Sequence, residues 1–132
     1  MSPIEMAFDP KKQRLRTTSS GMLSLSDLLA HLDDEERQGN LGVSELFDAR
    51  ASTTDLTANQ VRELVDRMSR HAREGGLGPT ALVTQNDLVF GMARMYSILS
   101  EDFDPRFRVC RDIESAERWL DAGAPPESGS GR

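Results

Sequence analysis

Two hydrophobic rhythms alternate along the chain. Near the N-terminus Ile4, Met6 and Phe8 recur at every second residue, the period of a half-buried strand. Asp9-Pro10-Lys11-Lys12 supplies turn chemistry, and residues 13–19 return as a second, rather polar strand, which predicts a β-hairpin with an edge or one wet face. From Leu25 the period lengthens. Leu25, Leu28, Leu29 and Leu32 fall on one helical stripe and predict a helix over 25–37, with Ser24 and Asp27 in a capping arrangement and Gly39-Asn40 as a left-handed stop. A short strand is expected around Val43, Leu46, Phe47 and Ala49, ending near Asp48.

The second half repeats this alternation more clearly. Thr57-Ala58-Asn59-Gln60 matches a capping box, and Val61, Leu64, Val65 and Met68 form the buried stripe of the helix that follows. The glycine run 75–78 and Pro79 break the chain before an apolar strand at 81–84. Gln85-Asn86-Asp87 then caps a helix reaching about Ser100, on which Leu88, Gly91, Met92, Met95 and Leu99 are expected to face the core. A strand at 106–111 and a helix at 113–121 complete the order ββ-α-β-α-β-α-β-α. Strands separated by helices imply right-handed crossovers, so the fold class is α/β: a mostly parallel mixed sheet with helices packed on it and an antiparallel first strand.

At 132 residues there is material for one core. Residues 1–121 read as a single domain and 122–132, rich in Gly, Pro and Ser, as a disordered tail. Apolar runs are far too short to span a bilayer, and the N-terminus lacks a secretion signal, so cytoplasmic residence is expected. Cys110, the single cysteine, allows no internal disulfide and reads as a small buried hydrophobe. A net charge of −6 argues against a nucleic-acid surface. Lys11, Lys12, Arg14 and Arg16 are a local exception, read as the solvated face of the hairpin.

Chemistry-bearing motifs are sparse. His31 and His71 lie on different helices without a second ligand at a regular zinc spacing, so neither a metal nor a cofactor is expected, and each histidine reads as a surface or partly packed group. Asp33-Asp34 and Glu35-Glu36 read as solvated on the polar side of the first helix. The glycine run follows a helix instead of a strand, so it is a connector and not a phosphate loop. The segment that stands out is Phe90-Gly91-Met92-Ala93-Arg94-Met95-Tyr96. Glycine costs about 1 kcal/mol in a helix interior, so Gly91 asks for a reason. Close helix–sheet packing is the first account, and approach of a ligand or partner the second. Arg94 reads first as half of an intrachain salt bridge, or else as a grip on an anionic partner.

Several of these stretches in order resemble the SpoIIAA-like family, a branch of the STAS superfamily. They are Ala81-Leu82-Val83, then Asn86 through Tyr96 with its Gly-x-Ala-Arg-Met-aromatic core, then Phe107 through Asp112, and Ala116-Glu117-Arg118-Trp119-Leu120. Leu46-Phe47-Asp48-Ala49-Arg50 is a weaker match. The resemblance implies the fold and not an activity. With the missing catalytic constellation and the acidic surface it leads to the expectation of a bacterial, non-enzymatic regulatory or protein-interaction module with a protein partner. Gly91, Arg94, Phe90 and Tyr96 are its candidate binding residues, and a homodimer is the commonest oligomer. Anti-sigma-factor antagonists carry a phosphorylatable serine at a helix start in an Asp-Ser-[Ser/Thr]-Gly pattern, where this chain has Asp55-Leu56-Thr57-Ala58. No phosphorylation switch is therefore expected at Thr57 or the nearby Thr54. The runner-up is a small apolar (lipid-like) ligand binder with Phe90, Met92, Met95 and Tyr96 lining a pocket. An enzyme ranks third, with a crevice at the strand ends near Asp48, Thr54, Asn86 and Asp112.

Overall fold

Alternating and helical rhythms become nine elements in a computed structural model that describes residues 3–126. They are β1 (Ile4–Asp9), β2 (Arg14–Leu23), α1 (Leu25–Arg37), β3 (Ser44–Thr54), α2 (Ala58–Glu74), β4 (Thr80–Val83), α3 (Asp87–Leu99), β5 (Phe107–Cys110) and α4 (Ile113–Asp121). The expected caps form. Ser24 with Asp27 and Thr57 with Gln60 make reciprocal capping boxes, while Asn86 and Asp112 accept from the first-turn amides of α3 and α4. Gly39, at φ 71°, sits just beyond α1 and donates to Glu36.

The five strands lie in the order β1-β2-β3-β4-β5, with β1 antiparallel to β2 and every other pair parallel. This is the mixed sheet that the sequence pattern implies. Two features differ from it. β3 is about twice its expected length, because beyond Asp48 it continues alongside β2 alone, past a register shift at Thr18/Ser20. β2 is an inner strand, not an edge, and its polar side chains Thr17 and Ser19 are buried. Their hydroxyls are satisfied by Glu45 at 2.5 Å and Ser52 at 2.7 Å, which explains how a polar strand can sit inside.

Two cores flank the sheet. On one face Leu46, Ala81, Val83 and Cys110 pack against Ala116, Trp119 and Leu120 of α4. On the other, Phe47, Ala49 and Leu82 pack against α3 through Val89 and Ala93, with Leu28 of α1 alongside. Cys110 is buried, and burial pushes its thiol pKa up, as an inert core residue requires. The basic hairpin is not wholly the solvated face expected, since Arg14 is buried; Lys12 and Arg14 reach Asp121 at 3.1 and 3.0 Å, and Arg16 reaches Glu117 at 3.2 Å. The expected tail at 122–132 begins with five residues that the structure places. Ala124 joins the α4 core and the Pro125 carbonyl accepts from Trp119 Nε1 at 2.9 Å; the remainder, 127–132, lies outside the described residues.

Candidate functional site

Helix α1 turns a different stripe inward from the one its leucines suggest. Its buried residues are His31, Leu32 and Glu35, with Leu28 packed beside them, so the stripe runs 28-31-32-35. Two ionisable groups one turn apart are thereby carried into the interior, and Glu45 on the facing strand meets them. His31, Glu35 and Glu45 are 7, 4 and 5 % exposed. The readings of His31 as a surface or partly packed histidine and of Glu35 as solvated are thus corrected. His31 Nε2 lies 3.0 Å from Glu45 Oε2 and 3.2 Å from Glu35 Oε1. Thr17 donates to the same Glu45 oxygen, and the His31 ring stands edge-on to Phe47 at 5.5 Å between centroids.

Electrostatics in this cluster follow from burial against pairing. Burial disfavours a charged imidazole, but the hydrogen bonds to Glu35 and Glu45 outweigh it and lift His31 from 6.5 to about 10. Burial, joined by the negative charge of Glu45, pushes Glu35 up to about 7. Burial acts on Glu45 in the same direction, yet its bonds to His31 and Thr17 hold it below the usual carboxylate range. One carboxyl is therefore firmly ionised and the other titrates near neutrality. Nucleophilic catalysis of the triad type is not the arrangement here, because the hydroxyl of Thr17 donates to a carboxylate and not to an imidazole.

This cluster borders a cavity of about 110 Å³ between the sheet and the three helices α1, α2 and α3. Its wall is mostly apolar: Leu28 and Leu32 from α1, Leu64 and Met68 from α2, Met92 from α3 and Phe47 from the sheet. A second polar pair lies on the same wall. Tyr96, buried, donates its hydroxyl to Asp104 at 2.7 Å, and burial raises the pKa of both groups. The sequence contained the signal for α1, since His31-x-x-x-Glu35 falls on the helical stripe completed by Leu28 and Leu32. No local spacing points to Glu45, which arrives only through the fold.

The residues singled out on α3 disperse. Its buried face is Val89, Ala93 and Tyr96, one position round from the expected Leu88-Gly91-Met92-Met95-Leu99 stripe, of which Met92 does pack against the core. Tyr96 and Met92 line the cavity. Phe90 is half-buried with Arg111 stacked over its ring at 3.8 Å. Gly91 is exposed, and a Cβ there would meet nothing within 4 Å, so close helix–sheet packing does not account for it. Arg94 is exposed and forms no ion pair among the described residues, contrary to the expected intrachain salt bridge. Leu88 and Ile98, 64 and 60 % exposed, leave an apolar outer face on this helix.

The remaining candidates have local tasks. Thr54 is buried and donates to the Leu23 carbonyl, while Thr57 is the exposed N-cap of α2. Asp48, expected at a strand end, lies in the middle of β3 and is clamped by Arg50 at 2.9 Å, while Asn86 and Asp112 are the caps already described.

A five-stranded mixed sheet opened by a hairpin and layered by four helices defines a SpoIIAA-like fold. A crystal structure of an uncharacterized protein from the DUF3478 family with a SpoIIAA-like fold, from Shewanella loihica, matches it over 91 % of this chain and 95 % of that one. The TM-score is 0.58 at 17 % identity, a likeness of fold. The sequence matches no family model and no curated protein. No helix among the described residues is long and apolar enough to cross a membrane.

Proposed function

We propose that the chain is a non-enzymatic binding module whose ligand is a small, largely apolar molecule held between the sheet and α1–α3. The observation that carries this reading is the cavity itself, apolar along most of its wall but bordered by buried, hydrogen-bonded carboxyls. Well-packed domains keep few voids larger than a water molecule, so one of about 110 Å³ asks for an occupant. An engineered apolar cavity of about 150 Å³ in another protein takes up benzene, which sets the scale: a ring or short chain, not a full lipid. Glu35 and Asp104 on the wall favour a ligand carrying one or two hydrogen-bond donors.

Methionine methyl groups report on this directly. In a chelator-containing buffer, titration with benzene and with benzylamine is expected to shift the NMR methyl signals of Met68 and Met92, which line the cavity, and leave exposed Met22 unmoved. Saturating additions that leave Met68 and Met92 in place would refute the reading.

A second reading, protein interaction in a cytoplasmic bacterial regulatory pathway, is favoured by α3, which exposes Leu88, Ile98 and Leu99 and also Arg94, without an ion pair among the described residues. Native mass spectrometry of protein isolated from its host separates the two. A second polypeptide in fixed ratio, lost on Arg94→Glu, supports interaction; a lone chain carrying a discrete small mass supports the ligand module.

A further inference from the structure

We infer that His31, Glu35 and Glu45 form a binding site for one divalent transition-metal ion, with an open coordination position facing the cavity. The argument starts from hydrogen atoms. His31 Nε2 carries at most one, yet two carboxylate oxygens approach it at 3.0 and 3.2 Å. A single proton cannot point well at both. Two buried carboxyls converging on one nitrogen form a pocket of negative charge suited to a cation.

A divalent cation placed among the three groups resolves the mismatch. It neutralises two carboxylates, takes the lone pair of a neutral imidazole, and leaves no net charge in the interior. The ligand set, one imidazole nitrogen and two carboxylate oxygens, suits zinc, manganese or ferrous iron. Ligand atoms about 2.0–2.2 Å from a tetrahedral ion stand about 3.3–3.6 Å from one another, so the observed 3.0 and 3.2 Å need an expansion of only a few tenths of an ångström. The ligand atoms of all three residues already lie within 4.8 Å of one another. The frame is built to hold them. His31 and Glu35 are one turn apart on α1, Glu45 is fixed in a central strand, and Thr17 donates to the Glu45 carboxylate from the neighbouring strand, as an outer-shell residue does. Since all three side chains line the cavity, a fourth ligand, water or a donor atom of a bound molecule, comes from that side.

A second group, Glu36, His71 and Glu74, also brings ligand atoms together, but both carboxylates are exposed and His71 Nε2 already accepts from Arg67 at 3.1 Å. It serves as an internal control. The cation site goes beyond the proposed ligand module and does not require it. Its test contains no organic ligand and the methionine titration contains chelator, so either can fail alone.

The experiment is calorimetric titration of the chelator-stripped full chain with Zn²⁺ at pH 7.5. One equivalent is expected to bind, at least tenfold more weakly in His31→Gln and Glu35→Gln and unchanged in His71→Gln. Absence of stoichiometric binding, affinities of the first two variants within threefold of wild type, or loss that follows His71→Gln would each overturn the site. Should the variants fail to fold, wild-type protein still decides. Substoichiometric Mn²⁺ must broaden the ring signals of His31 more than those of His71, and the reverse order refutes the assignment.

Discussion

Replacing Glu35 by glutamine should stabilise the protein, and only above mildly acidic pH. Glu35 is buried, and its pKa rises from 4.5 to about 7 on folding because burial and the neighbouring charge of Glu45 oppose its ionisation. A carboxyl whose folded pKa lies above its unfolded value binds its proton more tightly in the folded state. Its contribution to stability is full below about pH 4.5 and is lost as pH rises through 7. Each tenfold in proton affinity is worth about 1.4 kcal/mol, so the loss approaches about 3 kcal/mol by pH 8.5. Glutamine keeps the shape and an acceptor for His31 but has no proton to lose. The expected result in urea denaturation with chelator present is near-equal stability of wild type and Glu35→Gln at pH 4.5. The gap then widens to about 3 kcal/mol in favour of the variant by pH 8.5. His31, lifted to about 10 by Glu35 and Glu45 together, loses its own contribution between 6.5 and 10, so the wild-type curve falls over a broad range and the difference between the two proteins reports the coupled Glu35–His31 pair. A gap that stays constant within about 0.5 kcal/mol from pH 4.5 to 8.5 would refute the buried, coupled geometry of the cluster.

Three further substitutions test other parts of the structure. Gly91→Ala meets open space on an exposed helix and should raise the urea midpoint by the equivalent of about 0.5–1 kcal/mol; a loss of stability would mean that Gly91 is packed after all. Gly78→Ala should do the opposite, since its Cβ would stand 2.5 Å from the Val43 carbonyl oxygen, a backbone atom that cannot swing aside, and a cost of about 1–3 kcal/mol in the same assay is expected. Tyr96→Phe preserves the edge-on contact with Phe107 at 4.8 Å but strips the buried Asp104 of its hydroxyl donor, so about 1–3 kcal/mol should be lost at neutral pH. An unchanged midpoint there would show that solvent replaces the tyrosine.

Helix ends, the order of elements and the mostly parallel mixed sheet were legible because each rests on a local rule: Ser24 with Asp27, Thr57 with Gln60, Gly39 after α1, and strands separated by helices. The inward faces of α1 and α3 were harder for opposite reasons. α3 is apolar nearly all round, so 88-91-92-95-99 and 89-93-96 are equally good stripes on hydrophobicity, and only docking on Phe47 and Leu82 selects the second. In α1 the competing stripe 25-28-29-32 is all leucine, whereas the true one includes His31 and Glu35, whose burial is unfavourable until Glu45 and Thr17 supply partners from two strands. Hydrophobic patterning therefore fails at residues whose partners come from other elements of the fold, and those are the residues that give the cavity its chemistry. Polar groups on a helical stripe that already holds two leucines, as His31 and Glu35 are, deserve to be read as inward-facing whenever a polar inner strand is available to meet them. The polar character of β2, first taken as a mark of an edge or of one wet face, is the other half of the same signal: Arg16, Thr18 and Ser20 are indeed exposed, but Thr17 faces inward and donates to Glu45.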